Sequence, residues 1–212
     1  MVIDLSHPIF PDMPLWPGTP EPECLPIANI PEDGFAEHSI RLSSHTGTHL
    51  DAPAHMIEGG ASLDRFEPGS FFGKAAVVDA LAITDGVIGL KLLESFEEVI
   101  GSSDFVLLHT GWARHWGQPG YDSGYPVLDD DAAEWLCSMG LKGVGIDAPS
   151  FDPSGSEAYP VHRRLLRSGL LLLENLANLH LIPLFGCTLA AFPLPVRGVD
   201  ACPVRAVAIL WP

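Results

Sequence analysis

Between Ser43 and His55 the sequence reads Ser-Ser-His-Thr-Gly-Thr-His-Leu-Asp-Ala-Pro-Ala-His, and this stretch limits what the rest of the chain can be. His45, His49, Asp51 and His55 follow one another at intervals of four, two and four residues. All three intervals are even, so an extended segment would turn the four side chains to one face. A helix would align His45 with His49 but swing Asp51 to the far side. Gly47 and Pro53 also oppose a continuous helix. The stretch is therefore expected to be a strand or extended loop with four polar groups converging. Imidazole and carboxylate are the ligands that zinc, manganese and similar divalent ions take. Small neighbours (Thr46, Gly47, Thr48, Ala52, Ala54) leave room for a ligand to approach. A polar surface strand would share the spacing in a chain with nine histidines. The carboxylate among them favours a metal site.

Composition sets the frame around that site. With 212 residues, 47% of them hydrophobic, the chain can bury one substantial core, so a single domain over residues 1–212 is expected. There is no uncharged apolar run of about 18 residues to cross a membrane. The first residues lack the basic-then-apolar pattern of a secretory signal. Cys24, Cys137, Cys187 and Cys202 are widely spaced, which suits buried free thiols in a cytoplasmic protein. A net charge of -16, from 27 acidic and 11 basic residues, argues against nucleic acid or an anionic membrane as partner. It leaves a small-molecule substrate open, because a divalent cation would dominate the local field. Twenty prolines and 21 glycines point to many turns and ordered loops.

Along the chain, Val2 to Leu5 alternates as a short strand. Residues 6–31 are crowded with prolines and read as an extended arm or lid, with Trp16 its largest apolar group. Ala36 to Ser43 alternates as a half-buried strand. Lys74 to Asp79, Asp104 to His109 and Val144 to Asp147 read as buried strands, and Leu90 to Ile100 as a helix closed by Gly101. The loop from Thr110 to Val127 is rich in glycine and aromatic residues and is a candidate to line a site. Asp129, Asp130 and Asp131 begin a helix, where the dipole favours carboxylates, so they read as a cap region. Tyr159 to Ser168 reads as a helix carrying His162. Leu170 to Leu173, Leu179 to Phe185, Thr188 to Phe192 and Val204 to Trp211 read as strands. Strands with a few intercalated helices give an α/β or α+β layered domain.

Glu174 follows four leucines, where an unpaired carboxylate would be costly to bury unless a metal offsets the cost. A water-exposed strand end or an arginine partner would serve as well. His162, twelve residues upstream, could meet Glu174 after the turn at Gly169.

His45-Thr-Gly-Thr-His49-Leu-Asp51-Ala-Pro-Ala-His55 resembles the signature of the cyclase family of metal-dependent hydrolases, which includes bacterial kynurenine formamidases (arylformamidases) and isatin hydrolases. Leu15-Trp16-Pro17-Gly18, Gly143 to Ser150, Pro160 to Leu166, Leu173-Glu174-Asn175-Leu176 and Pro203 to Val207 are similar to further blocks of that family, in order along nearly the whole chain. The resemblance implies an α/β sandwich with a barrel-like mixed sheet, usually a homodimer or homotetramer. It implies that His45, His49 and Asp51 hold one metal ion and that Asp51, Glu174 and His162 hold a second. His55 would then be the acid/base and Trp16 a substrate contact. The ions would be Zn²⁺, one or two per chain, or Mn²⁺. The implied reaction is hydrolysis of an aromatic amide such as N-formylkynurenine, a step of tryptophan catabolism. Ring opening of a cyclic amide or lactone is the alternative substrate class. A non-catalytic metal-binding module is the third reading, and the surplus His55 beside an already supplied site argues against it. Two features depart from dedicated formamidases: Met56 replaces an aromatic residue, and the Thr110 to Gly117 segment looks like broader members of the family.

Overall fold

Runs such as Ala75-Ala76-Val77-Val78 and Phe105-Val106-Leu107-Leu108 are apolar on both faces, which suits strands covered from both sides. In the structure, a computed structural model describing residues 1–211, both runs lie in the middle of a nine-stranded sheet. Residue 212, the end of the expected domain, lies outside the described residues.

The N-terminal strands are β1 (Val2–Asp4), β2 (Glu23–Ala28), β3 (Glu37–Arg41) and β4 (His49–Asp51). The middle of the chain supplies β5 (Phe72–Asp79), β6 (Val87–Ile88), β7 (Phe105–His109), β8 (Val127–Leu128) and β9 (Gly143–Ile146). The last four are β10 (Leu171–Glu174), β11 (Cys187–Ala190), β12 (Ala201–Pro203) and β13 (Val207–Leu210). The large sheet has the order β1-β13-β11-β5-β7-β9-β10-β4-β12, while β2–β3 and β6–β8 pair separately. Its centre, from β5 through β10, is parallel, and both flanks are antiparallel. The sheet curls into a half-barrel, as the α/β sandwich expectation required. The helices are α1 (Ile30–Asp33), α2 (Leu90–Glu94), α3 (Glu97–Ile100), α4 (Asp130–Ser138) and α5 (Pro160–Arg167).

Strand alternation sorts the core into two layers. Ala76, Val78, Val106, Leu108 and Leu172 face the helices and pack with Leu93, Ile100, Leu136, Val161 and Leu165. Ala75, Val77, Phe105, Leu107, Leu171 and Leu173 fill the opposite side with Leu5, Leu50, Leu179 and Leu189. Each fully buried leucine contributes about 1.5–3 kcal/mol. The strand β9 fits between its neighbours because Gly143 and Gly145 carry no side chain. A Cβ at Gly143 would meet the Leu171 carbonyl at 2.5 Å, and one at Gly145 would meet Leu176 and Leu107 methyls at 2.7 and 2.8 Å.

Several local expectations are corrected. The helix expected from Leu90 to Ile100 is two short helices, α2 and α3. The break falls where Ser95 Oγ donates to the Leu92 carbonyl and Phe96 leaves helical geometry. The strand expected from Leu179 to Phe185 is a 3₁₀ turn over Leu179–Leu181, entered through Asn178 in the left-handed region. The strand expected from Val204 to Trp211 is shortened to β13, because residues 204–206 form the connection from β12. The arm over residues 6–31 is not extended throughout: it turns at residues 11–12 and 17–18, is extended in β2, and runs into α1 at Ile30. Its partner β3 is exposed along its whole length rather than half-buried. Cys187 and Cys202 are buried as expected, but Cys24 is exposed and Cys137 half-buried. The Asp129 expectation holds: it caps α4, its carboxylate accepting from the Ala132 N–H at 2.7 Å.

Candidate active site

The pairing of β4 with β10 builds the floor of the site. Glu174 lies opposite His49 and Leu172 opposite Asp51, and directly paired residues share a face. Leu172 belongs to the helix-side core, so His49, Asp51 and Glu174 all point toward the helices. Above them runs α5, whose buried face carries His162 with Leu165 and Leu166 at helical spacing. Thus His162 meets Glu174, with Nε2 to Oε1 at 2.8 Å.

The even spacing from His45 to His55 does not come from one extended segment. Only His49–Asp51 is strand. His45 lies in a turn closed by the Thr46 N–H donating to the Ser43 carbonyl, and Gly47 follows at φ 64. His55 ends a 3₁₀ turn that Pro53 begins. Chain reversals on either side of β4 still bring the four groups together, leaving His45 Nδ1 3.0 Å from Asp51 Oδ1.

Each of the three histidines implied as ligands has one ring nitrogen fixed from outside and the other facing carboxylates. His49 Nδ1–H donates to the Gly47 carbonyl at 2.8 Å, and its Nε2 stands 3.4 Å from Asp51 Oδ1 and 3.3 Å from Glu174 Oε2. His162 Nδ1–H donates to Asp152 Oδ2 at 2.6 Å, leaving Nε2 for Glu174. His45 Nε2 lies 2.9 Å from Asp200 Oδ2, leaving Nδ1 for Asp51. This outward anchoring of imidazoles is how proteins orient metal ligands. Among the described residues, His49 Nε2 and both Asp51 oxygens are buried without a hydrogen-bond partner, although their neighbours lie within contact distance. Orphaned buried atoms converging on one another fit a cation better than a hydrogen-bond network. Two clusters, His45/His49/Asp51 and Asp51/His162/Glu174, each place their donor atoms within 4.8 Å of one another and share Asp51. The residues present therefore fit one or two divalent ions.

Without an ion, protons hold the cluster together. Burial disfavours the charged form of His162, but Glu174 and Asp152 outweigh it and raise its pKa to about 10. Burial likewise opposes charge on His45, which its contacts with Asp200 and Asp51 push up to about 10. Burial would raise the Asp51 carboxyl, yet His49 and His45 hold it well below the usual carboxylate range. A cation entering this site must displace those protons, so its affinity rises with pH.

A cavity of about 270 Å³ opens over the cluster, at the small end of ligand pockets. Leu15, Trp16, Met56, Tyr121 and Tyr159 form its walls around His45, His49, His55, His162 and Glu174. Trp16 is thus placed at the site. His55 sits at the rim, half-buried, with its ring centroid 4.2 Å from that of His45. The aromatic loop from Thr110 to Val127 reaches the cavity through Tyr121 and Asp122, not through Trp112 or Trp116. Trp116 instead stacks on His7 at 4.0 Å, and Trp112 donates its indole N–H to the Tyr121 carbonyl. Tyr121 OH donates to Asn175 Oδ1 at 2.9 Å, and Asn175 Nδ2 donates to the Gly47 carbonyl, tying the loop to the segments that carry His49 and Glu174.

Sequence reasoning missed Asp152 and Asp200. Asp152 precedes His162 by ten residues in an irregular loop, and Asp200 lies 155 residues from His45. Nothing in either local sequence marks a partner for a histidine so placed.

A sequence model of the family described as "Putative cyclase" matches residues 3–153. A kynurenine formamidase of Salinibacter ruber is 37% identical over 209 residues, covering 97% of this chain and 96% of that protein. Isatin hydrolase A from Labrenzia aggregata, solved with benzyl benzoate bound, superposes with a TM-score of 0.88 at 26% identity, covering 99% of this chain and 93% of that one. A structure described as a potential metal-dependent hydrolase with cyclase activity superposes with a TM-score of 0.79 at 29% identity, covering 98% and 96%.

Proposed function

The chain belongs to the cyclase family of hydrolases, and from that premise we propose that it is a metal-dependent arylformamidase cleaving N-formylkynurenine or a close aryl formamide to formate and the free amine. Hydrolysis of an amide C–N bond is the activity its relatives share. The observation that carries the finer reading is 37% identity with a kynurenine formamidase over nearly the whole length of both proteins, in a chain whose small aromatic-walled cavity stands over both donor clusters.

His45, His49 and Asp51 would hold one ion, and Asp51, His162 and Glu174 the second. Imidazole and carboxylate donors suit Zn²⁺, with Mn²⁺ the alternative occupant. When bound, the ion supplies water acidified toward a pKa of about 7 and a Lewis acid for the substrate carbonyl. The remaining steps belong to the chain. Trp16, Tyr121 and Tyr159 exclude water from the aromatic ring and hold the formamide over the clusters. His55 takes the proton from the attacking water and returns it to the departing nitrogen, within reach of both because it borders the cavity. Residues 1–212 would act as one catalytic domain, the two core layers lying on opposite faces of a single sheet. The isatin hydrolase likeness keeps ring opening as the second reading. A substrate panel separates them. Formate release from N-formylkynurenine with no turnover of isatin is expected, and turnover of isatin alone would transfer the assignment.

The chain would work as a homodimer or homotetramer in a reducing, cytoplasmic compartment. Four free thiols support that compartment. Among the described residues no helix is long and apolar enough to cross a membrane. The β2–β3 hairpin supports oligomers. Among the described residues its strands pair only with each other, yet Leu25, Ile27 and Ile40 are 56%, 60% and 66% exposed. A two-stranded hairpin is marginal in water, so a second copy is the natural cover for it. Replacing Leu25 and Ile40 together by aspartate is expected to give monomers in sedimentation equilibrium. An unchanged oligomer would remove the hairpin from the interface.

A further inference from the structure

Asp200 precedes the edge strand β12, and its carbonyl accepts the Ala52 N–H at 2.8 Å, which anchors it beside the end of β4. One of its oxygens, Oδ2, lies 2.9 Å from His45 Nε2 and 3.3 Å from His55 Nδ1. A carboxylate ionised at neutral pH only accepts, so each of those nitrogens must carry a hydrogen. The consequence differs for the two rings. In His45 the hydrogen held on Nε2 makes Nδ1, the atom 3.0 Å from Asp51 Oδ1, the nitrogen that gives up its proton and offers its lone pair when an ion enters. In His55 the hydrogen on Nδ1 leaves the lone pair on Nε2.

We propose that Asp200 is a positioning residue that fixes the tautomers of His45 and His55 at once, directing the Nδ1 lone pair of His45 to the metal and keeping His55 Nε2 free to accept a proton. The assignment rests on the metal-hydrolase reading and extends it. The ion ligand and the proton acceptor are oriented by one oxygen atom, so both are set by a single side chain. His49 and His162 have separate anchors, the Gly47 carbonyl and Asp152, and neither anchor reaches His55. The arrangement also separates positioning from ligation. Asp200, His45 and His55 form a third cluster with donor atoms within 4.8 Å, in which Asp200 contacts His45 through Nε2, the ring nitrogen turned away from Asp51.

The test compares wild type with Asp200→Ala and Asp200→Asn, using metal-depleted protein and Zn²⁺ alone as the probe. Chelator competition is expected to show zinc bound about 10- to 100-fold more weakly by Asp200→Ala, with the number of ions per chain unchanged. At saturating zinc, kcat is expected to fall by a further factor of about 10 to 100, with KM within about twofold. Two downfield imidazole N–H proton signals present in the wild type are expected to vanish. Asp200→Asn keeps one acceptor oxygen and is expected to recover part of each loss. Asp200 is half-exposed, and an unchanged thermal melt confirms that the variants fold. Wild-type zinc affinity and kcat in Asp200→Ala would overturn the proposal. So would the loss of one zinc equivalent, which would make Asp200 a ligand. Failure of the wild type to bind zinc at all would overturn the underlying reading instead.

Discussion

Asp51→Ala is expected to lose bound metal and hydrolysis together. Asp51 is shared by both donor clusters, and both of its oxygens are buried without a hydrogen-bond partner among the described residues. Its removal leaves each cluster with two donors in place of three. The ion's electrostatic stabilisation of the transition state is worth several kcal/mol, so kcat/KM is expected to fall by on the order of 10³-fold or more. Metal analysis of the purified variant, read beside formamide hydrolysis, checks this. A variant that kept a stoichiometric ion pair would show that Asp51 does not bridge.

His55→Ala is expected to behave differently, and the contrast separates the two roles. His55 borders the cavity but stands outside both clusters that share Asp51. Metal content should therefore stay at the wild-type level while kcat falls by about 10²- to 10⁴-fold, the usual range for a lost general acid–base. Formate release by variant protein with its metal counted provides the comparison. Full activity with metal bound would place the proton transfer elsewhere, and lost metal would make His55 a ligand.

The candidate ligands are more legible in the sequence than the geometry that unites them. His45, His49, Asp51 and His55 were visible because four chemically suited residues crowd into eleven positions. Their convergence has a different origin from the even spacing. Only His49 and Asp51 use the strand period, and turns at Gly47 and Pro53 carry in the other two. Glu174 stood out as a carboxylate ending a leucine run, but its place opposite His49 is a property of the β4–β10 register, which depends on pairings distant in sequence. Asp152 and Asp200 carried no signal, since a carboxylate in a loop looks the same whether it anchors an imidazole or faces water.

The fold was legible in proportion to how one-sided each element's environment is. The doubly buried strands β5, β7 and β10 appeared as apolar runs because both faces meet core. The proline-rich segment hid a strand and a short helix, since proline also suits an exposed hairpin. The aromatic loop was rightly suspected of reaching the site, yet Tyr121 rather than either tryptophan does so. Trp112 and Trp116 are spent on holding the loop in place. Aromatic content alone does not distinguish a residue that meets a ligand from one that secures its neighbour.

The proposed role of metal held by His45, His49, Asp51, His162 and Glu174 is to drive amide hydrolysis. It is tested most directly by removing metal with a chelator and adding Zn²⁺ or Mn²⁺ back in steps, measuring formate released from N-formylkynurenine at each step. No turnover is expected after chelation, with recovery in proportion to bound metal, complete at one or two ions per chain. Turnover that survives complete metal removal would contradict it.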